Sequence, residues 1–182
     1  MDELKAVKAS QAGDKAAFGF LIDQNYKNIY RYAFHCTGNH QDADDICQET
    51  FLKAFDRIEQ LKNGNSFREW LFKIASNLSR KRIKSIKIKR NFIALSADSL
   101  NQQQENKNVQ PFENLTKNEK ASIIQEQLQE MSERLRMVTV LVLMENMAQK
   151  EAAKILNRSE PSISRDLNDA KAWLHSRLHK LI

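Results

Sequence analysis

Apolar residues recur along this chain at the three- and four-residue spacing of helices that bury one side. Phe18, Leu21, Ile22, Ile29, Tyr30 and Ala33 form an early stripe, and Gly13-Asp14 offers a cap just before it. A second apolar side gathers Ile46, Phe51, Leu52 and Phe55, with Ala43 and Ala54 as small neighbours. A third runs through Phe67, Trp70, Leu71, Ile74, Ala75 and Leu78, with Ser66 placed to cap it. Breaks are expected at Gly38-Asn39 and at Lys62-Asn63-Gly64-Asn65, where glycine and asparagine supply turn conformations. From residue 94 to residue 118 the chain becomes amide-rich and weakly apolar, and it carries Pro111. Such a stretch cannot bury enough apolar surface to order itself, so it reads as a flexible linker. The pattern predicts an all-α protein of two small helical domains, 1–93 and 119–182, joined by that linker. No internal repeat of fixed period is present.

Composition agrees. Four glycines and two prolines in 182 residues are too few for a hairpin-rich fold. They also leave no G-x-x-x-x-G-K or G-x-G-x-x-G loop to cradle a phosphate, so no nucleotide-cofactor site is expected. Two cysteines, Cys36 and Cys47, cannot make a disulfide framework, and no signal peptide is evident. The longest apolar run, near Val138 to Met144, is far short of a membrane span. These features point to a cytoplasmic chain. His35, Cys36, His40 and Cys47 include metal-ligand types, but they lack the paired spacing of structural zinc sites. They read as helix-packing residues, with no metal and no cofactor.

Charge is unevenly spread. Between Ser66 and Arg90 lie Arg68, Lys73, Arg80, Lys81, Arg82, Lys84, Lys87, Lys89 and Arg90, opposed only by Glu69. That is a local excess of +8 against +6 for the whole chain. Such a strip is the electrostatic footprint of a surface that binds nucleic acid. A membrane-surface helix is the competitor, weakened because the apolar stripe here has the width of a core face. The preceding segment, DADDICQETFLKAF from Asp42 to Phe55, has the opposite character. Asp42, Asp45, Gln48 and Glu49 share one side of its helix, stacked on successive turns. By itself that is a solvated face.

The last block contains a helix, a turn and a second helix. Glu151, Ala152, Ala153, Ile155 and Leu156 suit the first helix, and Asn157 tolerates the left-handed turn. Ser159 is a candidate cap, with Pro161 in the first turn that follows. Ile163, Leu167, Ala170 and Leu174 would be buried. Glu160, Ser162, Ser164, Arg165, Asn168 and Lys171 would face a major groove or its phosphates.

In this order the three segments resemble the sigma-70 family of bacterial transcription initiation factors, and most closely its extracytoplasmic-function group. The acidic segment resembles region 2.2. SFREWLFKIASNLSRKRIK resembles regions 2.3 and 2.4, with Phe67, Trp70, Leu71, Ile74, Ala75 and Asn77 meeting F-x-x-W-L-x-x-I-A-x-N. LVLMENMAQKEAAKILNRSEPSISRDLNDAKAWL resembles region 4. The resemblance covers about residues 10–90 and 125–178. It implies that Asp42, Asp45, Gln48 and Glu49 dock on a coiled coil of the largest subunit of core RNA polymerase. Asn63, Gly64, Asn65, Arg68, Lys73, Asn77, Arg80, Lys81 and Lys84 would bind the −10 element and hold its unpaired strand. Glu160, Ser162, Ser164, Arg165, Asn168 and Lys171 would bind the −35 element. An anti-sigma factor, membrane-anchored in many relatives, is the implied antagonist; there is no small-molecule substrate and no catalytic residue.

Two positions depart from the family pattern: Lys81 stands where aspartate is common, and Asp166 where a cation is common. An acid near phosphates would weaken the grip on duplex, so Asp166→Asn is expected to raise nonspecific affinity. The competing reading is an autonomous helix-turn-helix regulator, although no seam for a dimer is evident. An enzyme would need the His/Cys group as its only constellation.

Overall fold

The computed structural model describes residues 1–96 and 116–178, and among them every regular element is helical. In the first block α1 spans Glu3–Gln11, α2 Lys15–Thr37, α3 His40–Arg57 and α4 Phe67–Ser96. In the second, α5 spans Lys117–Glu130, α6 Glu133–Thr139, α7 Gln149–Leu156 and α8 Glu160–Leu178. Most of the linker expected at 94–118 lies outside the described residues. Its last residues already begin α5.

Local chemistry sets the helix ends. Asp14 accepts from the N–H groups of Ala16 and Ala17 at the start of α2, and Asn39 accepts from Asp42 N–H at the start of α3. Gly38 closes α2 at φ +73°, a left-handed position that suits glycine. A β-carbon there would also come within 2.7 Å of the Gln129 side chain, so the second block sits close against this turn. Thr116 and Glu119 exchange hydrogen bonds as a capping box on α5.

The core of the first block is built from Phe18, Leu21, Ile29, Phe67, Leu71 and Ala75, as their spacing predicts. Tyr32 and Phe72, absent from the predicted stripes, are fully buried as well, and the Tyr32 hydroxyl meets Ser76 Oγ at 2.8 Å. The stripe assigned to α3 needs correction. Ile46 and Phe51 are buried, but Leu52 is 58% exposed and Phe55 43%. At about 100° per residue, Leu52 points directly away from Ala43. Ala43, Cys47, Thr50 and Ala54 form the buried face instead.

The two blocks do not hang on a tether alone. Helix α5 and the turn after α6 pack on α2, and α7 packs on α4, so one apolar cluster runs through both blocks. Arg136 of α6, 7% exposed, donates to the carbonyl of Cys36 at 2.6 Å. Gln129 donates to the carbonyl of His35, and Gln125 to that of Phe34. His35 Nδ1–H donates to Gln125 Oε1 at 2.6 Å, and burial lowers the pKa of that imidazole. Between α6 and α7 the backbone widens into a π-turn over Val140–Met144, closed by Glu145 N–H on the Val140 carbonyl. No periodicity in the sequence announces it. It delivers Glu145 to α2.

Candidate functional site

On α3 the amphipathic spacing sets Asp45, Gln48 and Glu49 in solvent, with Asp42 half-buried at the N-terminal end. The four predicted residues therefore do share one face. Leu52 stands among them, and reasoning from sequence missed it by assigning it to the core. A helical wheel drawn from Ala43 would have found it. Beside this face Phe18, Ile22, Tyr26, Phe51, Leu52 and Phe55 line an open apolar groove rimmed by Asp44 and Asp45. An exposed apolar groove beside acids is the composition of a protein-docking surface.

The cationic strip lies on α4, next to that face. Arg82 joins the two: its Nε is 3.1 Å from Asp42 Oδ1, and its Nη2 is 2.6 Å from Asp45 Oδ2. Partly exposed pairs of this kind contribute about 0–1 kcal/mol each, so a partner can displace Arg82 at little cost. Lys73, Lys81, Lys84, Lys87 and Lys89 are exposed. Arg68 and Arg80 are engaged by the second block. Arg80 Nε lies 3.3 Å from Glu133 Oε1, and Arg68 Nη2 donates to the Glu145 carbonyl at 3.4 Å. Asn77 is exposed and accepts from Arg80.

The predicted base-reading loop forms a single 3₁₀ turn over Gly64–Ser66. Asn63 faces solvent, while Gly64 is tucked against α1, where a β-carbon would meet Leu4 Cδ1 at 2.6 Å. Gly64 is thus taken up by close packing and Asn63 is exposed beside it, while the side chain of Asn65 lies outside the described residues. Trp70 is half-buried against Phe67 and belongs to the core.

The helix-turn-helix forms as predicted. Asn157 adopts φ 53°, ψ 53° at the end of α7, and Ile163, Leu167 and Ala170 are buried. Glu160, Arg165, Asn168 and Lys171 of α8 are exposed, whereas Ser162 and Ser164 are half-buried, and Ser162 Oγ accepts from Arg158. Asp166 overturns the expectation placed on it. It is 2% exposed and pairs with Arg158 and, at 3.5 Å, with Arg134. Position 166 falls on the inner side of α8 with Ile163 and Ala170, so the carboxylate ties α8 to α6 and the turn. Asp166→Asn is therefore expected to destabilise the protein by about 1–3 kcal/mol, because it removes the buried charge that Arg158 pairs with. The salt dependence of DNA binding should stay unchanged. A thermal melt and a binding titration across salt check this, and tighter binding would return Asp166 to the DNA face.

The His/Cys group does not converge on one point. Cys36 and Cys47 are buried, and desolvation pushes both thiols up to about 12. His40 Nδ1 shares a hydrogen bond with the Tyr30 hydroxyl at 2.6 Å. No helix among the described residues is long and apolar enough to cross a membrane.

Comparison with known proteins bears directly on these faces. Residues 21–87, which carry the α3 face and most of the cationic strip, match the family Sigma-70 region 2. The ECF RNA polymerase sigma factor SigW of Bacillus subtilis is 25% identical over 181 residues, 97% of each chain. Residues 21–87 thus belong to the sigma-70 family, and nearly the whole chain is similar to a member of its extracytoplasmic-function group. The ECF RNA polymerase sigma factor BldN of Streptomyces coelicolor is 40% identical over 83 residues, 45% of this chain and 31% of that protein. A solved structure of CnrH in complex with the cytosolic domain of CnrY has the same fold. It covers 98% of this chain and 97% of its own, with TM-score 0.73 at 22% identity.

Within the matched residues, Lys81 is the remaining departure from the family pattern. It lines the same cleft as Asp45, Gln48 and Glu49. The substitution puts a cation on the border between the acidic and cationic faces, and it extends the positive surface toward α3.

Proposed function

We propose that this chain is an alternative sigma factor that binds core RNA polymerase and directs initiation at promoters with its own −10 and −35 elements. The observation that carries the reading is the segregation of charge. An acid and amide face encircles Leu52 on α3, a cationic surface occupies α4, and a separate recognition helix is presented by α8. Each face suits one contact. Asp42, Asp45, Gln48 and Glu49 offer acceptors to a cationic protein helix, with Leu52 as the apolar anchor. Lys73, Lys81 and Lys84 track a phosphate backbone, with Asn63, Arg68, Asn77 and Arg80 toward the bases of an unpaired strand. Glu160, Ser162, Ser164, Arg165, Asn168 and Lys171 line the groove-facing side of α8, whose first turn meets base edges.

The chain contributes no bond-making chemistry in this reading. RNA synthesis belongs to the polymerase, and the factor makes the separated strand the better-bound state. An anti-sigma protein in the cytoplasm, or at the inner face of the membrane, is the matching antagonist. The apolar groove beside Leu52 supports it as a surface that such a protein would cover.

Run-off transcription with core polymerase, with and without this chain, tests the proposal over a promoter library. Lys73→Glu with Lys84→Glu should keep core binding in a pull-down but reduce open-complex formation at least roughly tenfold, since both cations are exposed and lie outside the cleft of the acidic face. Footprinting of a promoter by the chain without polymerase would instead mark an autonomous regulator.

A further inference from the structure

Two patches of exposed apolar side chains lie on one side of the first block, and their surroundings have opposite charge. The first is Leu52 with Tyr26 and Phe55, set among Asp44, Asp45 and Glu49, with Lys53 paired to Glu49 at its edge. The second is at the far end of α4, where Ile88 is 68% exposed and Phe92 71%. Around them Lys81, Lys84, Lys87 and Lys89 are exposed, and residues 81–96 include no acid.

Helix geometry puts both patches on the same side. Asp42 and Asp45 pair with Arg82, and Ile46 clusters with Leu78, so α3 and α4 run antiparallel. Lys81 and Ser85 line the cleft beside Asp45, Glu49 and Leu52. Ile88 and Phe92 follow at the i+7 and i+11 positions from Lys81, on the same line along α4. Helix α3 starts at His40, so α4 runs on past its end. At 1.5 Å per residue the two patches are centred roughly 25 Å apart along the helix axes.

The end of α4 is a cationic helix with an apolar edge, the kind of surface that the α3 face is suited to accept. The chain thus carries both halves of one contact, and the packed bundle keeps them from meeting within one molecule. A two-fold axis between the patches lets two copies meet. Each α3 face then receives the α4 end of the other copy, and the contact, made twice, closes at two chains. Other occupants suit the surface less well. A lipid surface or a nucleic acid laid on Ile88 and Phe92 would also confront Asp45 and Glu49 with like charge. A second copy presents the opposite sign to both patches.

We infer that two copies of this chain associate through this exchanged contact, with Leu52, Asp45 and Glu49 of one against Ile88, Phe92, Lys84 and Lys89 of the other. The self-association is a property of the chain alone, while its competition with polymerase for the α3 face rests on the sigma-factor reading above.

Sedimentation equilibrium of the full chain, without polymerase or DNA, tests it. The mass should rise from one chain toward two with concentration and stop there, and added salt should lower it, since the charges are exposed. Ile88→Asp with Phe92→Asp should weaken association at least roughly tenfold. Asp45→Lys with Glu49→Lys gives the α3 face positive charge, and Lys84→Glu with Lys89→Glu sets acids on either side of Ile88. Each of these two variants should stay single by itself. Their equimolar mixture should pair, because both contacts in the mixed dimer then join opposite charges. Circular dichroism certifies that each variant is folded. A parent that stays single at every concentration, a mass that climbs past two chains, or a mixture that fails to pair would overturn the exchanged contact. If the parent stays single and instead pellets with phosphatidylglycerol vesicles, the end of α4 is a lipid-binding surface. None of these results touches the sigma-factor reading, which stands or falls on run-off transcription by the parent chain.

Discussion

Arg136→Met is expected to lower stability by about 3–5 kcal/mol, the largest single-residue effect predicted here. Methionine keeps the aliphatic bulk but removes the guanidinium. Arg136 Nη1 donates to the Cys36 carbonyl at 2.6 Å and to Gln129 Oε1 at 2.7 Å. Its Nη2 donates to the carbonyls of Gln129 and Met131, at 2.7 and 3.1 Å. Cys36 lies in the last turn of α2, and Gln129 and Met131 lie at the end of α5, where helix carbonyls have no partner within the helix. One buried cation thus terminates two helices from different blocks and sits at the negative end of both dipoles. Its loss strands the buried carbonyls of Cys36 and Met131 and leaves two half-buried acceptors on Gln129 unpaired, which is why the cost exceeds that of an ordinary hydrogen bond. For a chain of this size the thermal midpoint should fall by roughly 10 °C. A melt followed by circular dichroism checks it, and a fall of only a degree or two would mean that water replaces the guanidinium without penalty.

Asp45→Lys combined with Glu49→Lys should abolish measurable binding to core polymerase, a loss of at least roughly a hundredfold, and leave folding intact. Both side chains are exposed, and their partners, Arg82 and Lys53, are themselves partly exposed, so little stability is at stake. Charge reversal on a docking face acts through repulsion as well as lost attraction, which makes its effect larger than neutralisation. Leu52→Ala gives an independent measure. Burial of a leucine in an interface stabilises by about 1.5–3 kcal/mol, so truncation should weaken binding roughly tenfold or more. A fluorescence titration of labelled chain with core polymerase reads both. Wild-type affinity in the double variant would place the docking surface elsewhere.

How much of this could be read beforehand depends on the range of the interaction. Asp14, Asn39 and Asn157 act within a few residues of themselves, so the helix ends were legible. The opposed charges of α3 and α4 were legible too, because they are properties of composition along one helix. Leu52 was misplaced because an apolar residue on the wheel was assumed to seek the core, while the bundle already fills that face with Ala43, Cys47, Thr50 and Ala54. Asp166 was misread for a related reason. A carboxylate beside Arg165 looks exposed until α6 brings Arg134 to it.

What the chain determined by itself is the run of helices, their caps, the order of three recognisable segments and the sign of charge on each. These follow from backbone preference and from spacing along one helix, interactions that close within four residues. Tertiary structure decided which polar groups are spent inside the molecule: Arg136 on two helix ends, Glu145 on Arg31, Asp166 on Arg158 and Arg134. Arg31 and Glu145 are more than a hundred residues apart in sequence, and no local pattern encodes their meeting. Desolvation makes such an encounter worthwhile only when the partner is in place, and only the packed fold puts it there.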